Sequence, residues 1–563
     1  MYQKTNIDFA KTNQFEQVFL DYVAQKEQLK EFYSLFPSIE NFKTQIDKYL
    51  QNAGKSGENL AFDRENLTKT LHTQYATLAE DAKKQNISFE LDKKVSQNID
   101  LITNNHTFFI TTGHQLNIFS GQMYFIFKII TAIKTAQMLS KSYPDYNFIP
   151  VYWLASEDHD FEEIASFSLF NKKYTWESEQ KGAVGRMNTQ GIEKILNELP
   201  KEILEKVPFF ADAYKLPTLA QATTYFVNAL FGKYGLVCLD ADNAILKKNF
   251  IKIAKDELKY QHSTQEISKT STNLTSKNYK AQITPRPINL FYLDNNLDNS
   301  ANLGKNLRER IVRDEKDTNK WQVLNTSITF DETQLEELVK QNPEKISPNV
   351  ALRPVYQQIL LPSLAYIGGP GELAYWLQLK DMFDFHQKNT DNRAIFPILM
   401  PRNFALIVTA ANQKKLDKLG LLVADMFENE VSLKKKYLEK NTDGIFSMAD
   451  EYKEISEIFK NLTSKIGKID KTLESSVLAE EQKTLKSLEN LEKRTQKAQE
   501  RTQETQILQV LALKEKFFPN GSLQERTENF LNFYVNNPTF IADLMELFEP
   551  FDNKFNVLTE VAP

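Results

Sequence analysis

The chain has 563 residues, 41% hydrophobic and 12% aromatic. That is enough to bury a large core split into more than one structural unit, which excludes a disordered tail. With 69 basic against 74 acidic residues and a formal net charge of -5, no global field draws the chain to nucleic acid or to an anionic membrane. Cys238 is the only cysteine, so a disulfide framework and multi-cysteine zinc or iron–sulfur sites are excluded, and a reducing cytoplasm is expected.

The opening Met1 to Asp8 carries charge early with no apolar run behind it, which predicts no cleaved secretory signal. No stretch reaches the roughly 18 uninterrupted apolar residues of a membrane helix. Residues 1 to about 100 read as helices, with Phe15, Val18, Phe19, Tyr22 and Val23 at helical spacing. From His106 the pattern turns to strand: Thr107 to Thr112 is β-branched and aromatic, and Gly113, His114 and Gln115 read as the turn behind it. A helix after Gly121 sets Ile126, Ile129, Ile130 and Ile133 on one face, and Phe148 to Leu154 makes a second strand. Such a βαβ unit joins parallel strands, so His114 and the run Glu157-Asp158-His159-Asp160 are expected at one carboxyl edge.

Leu236 to Leu239 before Asp240 and Asp242, Leu364 to Ile367 before Gly368, and Ile395 to Met400 before Arg402 repeat the arrangement. The alternation predicts an α/β protein with a Rossmann-like, doubly wound parallel sheet and a helical amino-terminal segment, spanning residues 1–425. Stretches at about 170–225 and 245–350, rich in Lys, Asn, Thr and Ser, read as insertions that wall the crevice. From Lys468 to Phe518 there is neither Gly nor Pro, which predicts a long helix. Ile455, Ile458, Leu462, Ile466, Ile469 and Leu473, then Leu485, Leu488, Leu491, Thr495, Ala498, Thr502, Thr505 and Leu508, form two stripes. They predict a coiled coil over residues 426–515, as an antiparallel hairpin or a dimer arm, with 516–563 packing on the core.

Three segments can carry chemistry. Thr111-Thr112-Gly113-His114-Gln115, with Ser120-Gly121 behind it and Lys128 in the next helix, suits a phosphate approached by backbone at a helix start, or simply a turn that closes a strand. Glu157-Asp158-His159-Asp160 sets carboxylates beside imidazole, which suits magnesium, ammonium recognition or proton transfer; acid capping of a helix start is the structural alternative. Gly368-Gly369-Pro370-Gly371-Glu372, leading into Tyr375 and Trp376, is a rigid open loop at a helix start, fit for an anion or serving as a turn. Arg353, Lys380 and Arg402 are candidate cations for phosphate or carboxylate. Cys238, within Gly235 to Leu239, reads as a small buried hydrophobe rather than a nucleophile.

Read together, these words in this order, with Phe119-Ser120-Gly121, Leu352-Arg353-Pro354, Leu364-Ala365-Tyr366-Ile367 and Phe518-Pro519-Asn520-Gly521-Ser522-Leu523-Gln524-Glu525-Arg526, resemble the bacillithiol-synthesis cysteine ligase family over nearly the whole chain. The resemblance implies a nucleotidyltransferase-like core related to class I aminoacyl-tRNA synthetases, a coiled coil, and a ligase that adds cysteine to glucosaminyl malate through an amide bond. Gly113-His114 then stands in place of the synthetase His-x-Gly-His signature and keeps part of it. Pro401-Arg402-Asn403 stands where a Lys-Met-Ser-Lys-Ser loop would follow. Because a carboxylate acylates an amine only once its oxygen can leave, ATP is the expected activating nucleotide, with Mg2+ alongside it. On this reading His114, Asp158 and His159 are catalytic. Thr112, Gly113, Gln115, Ser120, Gly121, Lys128, Glu157, Asp160, Arg353, Gly368, Gly369, Gly371, Glu372, Tyr375, Trp376 and Arg402 bind nucleotide or substrate. A homodimer through the coiled coil is expected. The residues alone leave two alternatives open: a metal-dependent hydrolase with Asp158, His159, Asp160 and Asp240 as ligands, and an interaction protein that acts through its coiled coil.

Overall fold

The computed structural model describes residues 2–55, 62–294, 307–314, 317, 319–441 and 446–561. They fall into two compact units, one of residues 14–405 with 525–556, the other of 1–13, 406–524 and 557–563.

The first unit is built on a parallel sheet of five strands, in the spatial order Ile398–Pro401, Ser363–Gly368, Thr107–His114, Asn147–Leu154, Val237–Leu239. All five were expected from the apolar runs, and their order is that of a Rossmann half-sheet. Parallel strands buried on both faces read as continuous apolar segments, and residues Thr107 to Gly113 are all buried. One face is covered by the helix Ile39–Lys55, whose Phe42, Ile46 and Tyr49 pack with Phe108, Ile110, Phe148, Leu364, Ile367 and Met400. Cys238 lies buried in the edge strand, where burial pushes its thiol up to about 12, so it is a packing residue.

The chain reverses direction across the sheet between Thr107–His114 and Ser363–Gly368. Parallel α/β sheets open a crevice at such a switch point, outside the carboxyl ends of the strands. The 245–350 insertion carries its own antiparallel sheet, in the order Thr329–Asp331, Lys320–Val323, Leu307–Arg313, Leu290–Asp294, Ile346–Pro348. A hairpin, Ser166–Leu169 with Lys172–Thr175, lies in the first insertion.

The second unit holds a three-stranded sheet, ordered Tyr2–Ile7, Phe555–Glu560, Phe404–Val408. The extreme amino terminus is thus a strand and not the expected helix: the stretch is short and polar, and its pairing partner comes from the far end of the chain. Helices Ala449–Gly467 and Glu474–Thr502 form an antiparallel hairpin, with Met448 N–H donating to Glu492 at 2.9 Å and Phe446 N–H to Gln499 at 3.1 Å. The single long helix expected from Lys468 is corrected. Asp470 accepts from Thr472 N–H at 2.8 Å and caps a fresh start, and a break at Gln503 separates off Glu504–Phe517. The first hairpin helix ends at Gly467, and the Asp470 carboxylate opens the turn that leads into the second. No residue of either hairpin helix is buried, and Ile458, Leu478 and Leu491 are each more than half exposed. Among the described residues, no helix is long and apolar enough to cross a membrane.

Candidate active site

Two cavities of about 450 and 390 Å³ open at the switch point of the first unit and share Gln115, Ala155, Asp158, Val350 and Arg353 as a common wall. They are two lobes of one crevice.

The first lobe is walled by His114, Tyr124, Glu163, Gly369, Gly371, Glu372, Tyr375, Arg402 and Arg526. His114 ends its strand between the rings of Tyr124 and Phe125, at 5.2 and 5.1 Å. Burial, then the positive charge of Lys128, pushes its pKa down to about 3. The imidazole is therefore neutral at physiological pH, and its Nε2 is shielded from solvent without a hydrogen-bond partner. It can hydrogen-bond a ligand oxygen but adds no positive charge.

Gly113 is not in a turn, as the sequence pattern suggested, but is the penultimate residue of the strand. A Cβ there would sit 3.3 Å from Arg353 Nη1 and 3.4 Å from Tyr366 Oη, so the glycine makes room for Arg353. The helix expected after Gly121 begins at Tyr124. Between the strand and this helix, Phe119, Ser120 and Gly121 hold φ of 51°, 67° and 63°, a bend kept by Asn529, which donates to the carbonyls of Phe119 and Gly121 at 2.7 and 2.6 Å. Ser120 is buried in this bend, and Thr112 is buried and donates to Ile367 O at 2.9 Å; none of these three residues, Thr112, Ser120 or Gly121, lines a lobe.

Buried Lys128 is paired with Glu372, which is partly exposed to the lobe. Lys128 Nζ donates to both Glu372 oxygens at 2.8 Å and to Gly113 O, while Glu372 also accepts from Tyr366 Oη at 2.7 Å and Gly369 N–H at 2.9 Å. Burial alone would raise the Glu372 pKa; Lys128 and these donors outweigh it and hold the carboxyl below its usual value. The pair staples the glycine loop to the His114 strand, and Glu372 keeps a partly exposed face on the first lobe. Gly371 and Tyr375 face the lobe, whereas Trp376 is buried and stacks on Tyr366 at 4.5 Å, and Gly368 O accepts from Arg402 N–H at 3.0 Å. Lys380 pairs with Asp384 away from the crevice. Arg402 is buried, forms an ion pair at 2.5 Å with the equally buried Glu525, and leaves its Nε unpartnered.

The second lobe centres on Arg308, which lies over the Phe291 ring at 4.0 Å and donates to Pro348 O at 3.2 Å. Its Nη1 is 2.7 Å from His159 Nδ1 and 3.6 Å from Asp158 Oδ1. Arginine offers only donors, so Nδ1 accepts and the His159 proton is assigned to Nε2. Asp158 accepts from His159 N–H and from Gln115 Nε2, both at 2.7 Å. Burial opposes its ionisation, but the His159, Arg308 and Gln115 contacts prevail and hold it well below the carboxylate range. Glu157 is buried against Lys247, and Asp160 caps the short helix Phe161–Ile164 by accepting from Glu163 N–H at 3.3 Å. Asp240 accepts from Ser156 Oγ at 2.5 Å, and burial pushes it up to about 6. Among the described residues, no three or more His, Cys, Asp or Glu side chains converge to hold a metal ion. The four-ligand set of the hydrolase alternative is therefore not assembled.

Sequence reasoning missed Arg286, Arg308 and Asn349, which the insertion supplies, and also Tyr124, Glu163 and Arg526. Arg526 had a signal, since it closes a recognised motif. Arg308 had none, lying among the other arginines of its strand.

Strand order, switch-point crevice and helical hairpin together define a Rossmann-like α/β protein with a coiled-coil unit. Family models match along the chain: the N-terminal Rossmann-like domain of bacillithiol biosynthesis BshC over residues 2–403, and the BshC C-terminal coiled-coil domain over residues 405–560. Proteins carrying the name "Putative cysteine ligase BshC" are similar throughout: 39% identical over 98% of each chain in Flavobacterium psychrophilum, and 37% identical over 96% of this chain and 95% of the relative in Cytophaga hutchinsonii. A further one, from Natranaerobius thermophilus, is 26% identical over 81% of each chain. The chain belongs to the bacillithiol-biosynthesis BshC family.

Proposed function

We propose that this chain is a cysteine ligase that joins the carboxyl of cysteine to the amine of glucosaminyl malate, the last step of bacillithiol assembly, in the cytoplasm. The observation that carries the reading is the two-lobed crevice. Two adjoining compartments share Asp158 and Arg353, which suits two reactants brought together, and Arg286, Arg308, Arg353, Arg402 and Arg526 line it for anionic groups such as malate carboxylates and a phosphoryl group. ATP is the proposed activator, giving cysteine a phosphate leaving group. His114 Nε2 and the arginines would hydrogen-bond the transferring phosphoryl oxygens. With no three-ligand set assembled among the described residues, Mg2+ would be held mainly by the nucleotide phosphates.

The test is reconstitution with cysteine, glucosaminyl malate and each nucleotide, with mass spectrometry for the conjugate and for AMP or ADP. His114→Ala and His159→Ala are each expected to abolish conjugate formation and bacillithiol in cells while circular dichroism stays native. Normal bacillithiol in both variants would sink the assignment.

We also propose a homodimer through the hairpin, supported by the apolar side chains it leaves uncovered. Light scattering should give a dimer mass for the natural chain and a monomer mass for the Leu462→Glu, Leu491→Glu double variant. A dimer that survives both charges would place the contact elsewhere.

A further inference from the structure

An enzyme joining cysteine to an amino sugar meets two amines and must treat them oppositely. The α-amine of cysteine has to stay protonated, or cysteine acylates itself. The sugar amine has to lose a proton before it can attack. The crevice holds two carboxylates linked by a single amide: Gln115 Nε2 donates to Asp158 Oδ2 at 2.7 Å and to Glu163 Oε2 at 3.3 Å. Their surroundings differ. Asp158 receives strong donors from His159 N–H and Gln115 with Arg308 close by, and it borders both lobes. Glu163 has one long hydrogen bond, borders only the first lobe and is exposed there.

The other proton acceptors are spoken for. His159 Nδ1 is occupied by the Arg308 guanidinium, the carboxylate of Glu372 is filled by Lys128, Tyr366 and Gly369, and His114 is too weak a base at about 3. Tyr124 keeps its proton up to about 12. Glu163 is fixed in place by its backbone, whose carbonyl accepts from Asn117 Nδ2 at 2.9 Å. Facing it are Asp158 and Asp160 from its own connection, Gln115 behind the His114 strand, Tyr124 on the following helix, Glu372 on the glycine loop, and Arg353, Arg402 and Arg526 across the lobe. Partial shielding from water within the lobe, then Asp158 and Asp160, raise its pKa above the ordinary glutamate value. Two carboxylates with proton affinities driven apart is the pattern that divides charge recognition from proton transfer.

Resting on the ligase reading, we infer that Glu163 is the general base that takes the proton from the acceptor amine, and that Asp158 holds the ammonium of cysteine as a charged group. The acceptor ammonium gives one proton to the Glu163 carboxylate. The freed nitrogen lone pair attacks the carbonyl carbon of cysteine carried as a mixed anhydride with phosphate. The carbon–nitrogen bond forms, the carbon–oxygen bond to the phosphate breaks with the phosphate taking the electron pair, and the second amine proton leaves to that oxygen.

The test uses the full-length chain with cysteine and ATP, and two acceptors in parallel: glucosaminyl malate, and hydroxylamine, a weakly basic nucleophile already neutral at pH 7. Glu163→Gln should lower kcat for the conjugate by about 100- to 10,000-fold, leave the KM for cysteine unchanged, and still make cysteinyl hydroxamate near the wild-type rate. Glu163→Asp should restore part of the loss. The wild-type rate should fall as pH drops through a value above that of an ordinary glutamate, and Glu163→Gln should erase that limb. Asp158→Asn should raise the KM for cysteine with both acceptors. Equal losses with both acceptors in Glu163→Gln, or an unchanged conjugate rate, would overturn the role of Glu163. A wild-type protein that makes neither product overturns the ligase reading itself.

Discussion

Arg308→Ala is expected to lower conjugate formation by roughly 10- to 100-fold, because the hydrogen bond from the buried guanidinium to His159, made by a charged group, contributes about 1.5–3 kcal/mol and each 1.36 kcal/mol is about tenfold. The guanidinium bridges the insertion to the core, resting on Phe291 and Pro348 O on one side and reaching His159 Nδ1 and Asp158 on the other. Its loss frees the His159 ring to turn, and it removes one of the contacts that keep Asp158 ionised. Arg308→Lys should restore little, because an ammonium cannot reproduce a planar fork laid on an aromatic face. Initial rates by mass spectrometry, beside near-ultraviolet circular dichroism, make the measurement. A variant within a few-fold of wild type would mean that the insertion only walls the crevice.

The second large effect is on stability. Glu372→Gln leaves the Lys128 charge buried beside Gly113 O and is expected to cost about 3–5 kcal/mol. The Lys128→Met, Glu372→Gln double variant should recover much of that, since no orphaned charge remains. All four tryptophans, Trp153, Trp176, Trp321 and Trp376, belong to the first unit, so fluorescence during urea denaturation follows that unit alone. Because the folded pKa of Glu372 lies below its unfolded value, its contribution is complete above the unfolded pKa of about 4.3 and is lost as pH falls through the folded one. Wild type and Glu372→Gln should therefore differ most at neutral pH and converge in acid. A constant difference across that range would deny the ionic origin of the effect.

Much of the central architecture was legible in local pattern. Buried parallel strands must be apolar along their whole length, so five runs announce five strands, and the βαβ rule alone puts His114 and Asp158 at one edge. Periodicity also showed the helical hairpin, though not the break at Gln503, which carries neither Gly nor Pro. What local pattern misread were roles. Gly113 looked like a turn and is a strand residue kept small for Arg353; Lys128 and Glu372 looked like ligand groups and are each other's partner.

Sequence by itself determined the strands of the sheet, the edge on which the crevice opens and the wording that identifies the family. The tertiary structure alone decided which charged groups are free to act. Whether a carboxylate binds, catalyses or only holds the fold depends on partners far away in the chain, as with Glu372 and Lys128, Arg402 and Glu525, or Asp158 and Arg308. The energies of such pairs are set by burial and by distances of a few ångströms, and neither quantity is carried by the spacing of residues along one chain.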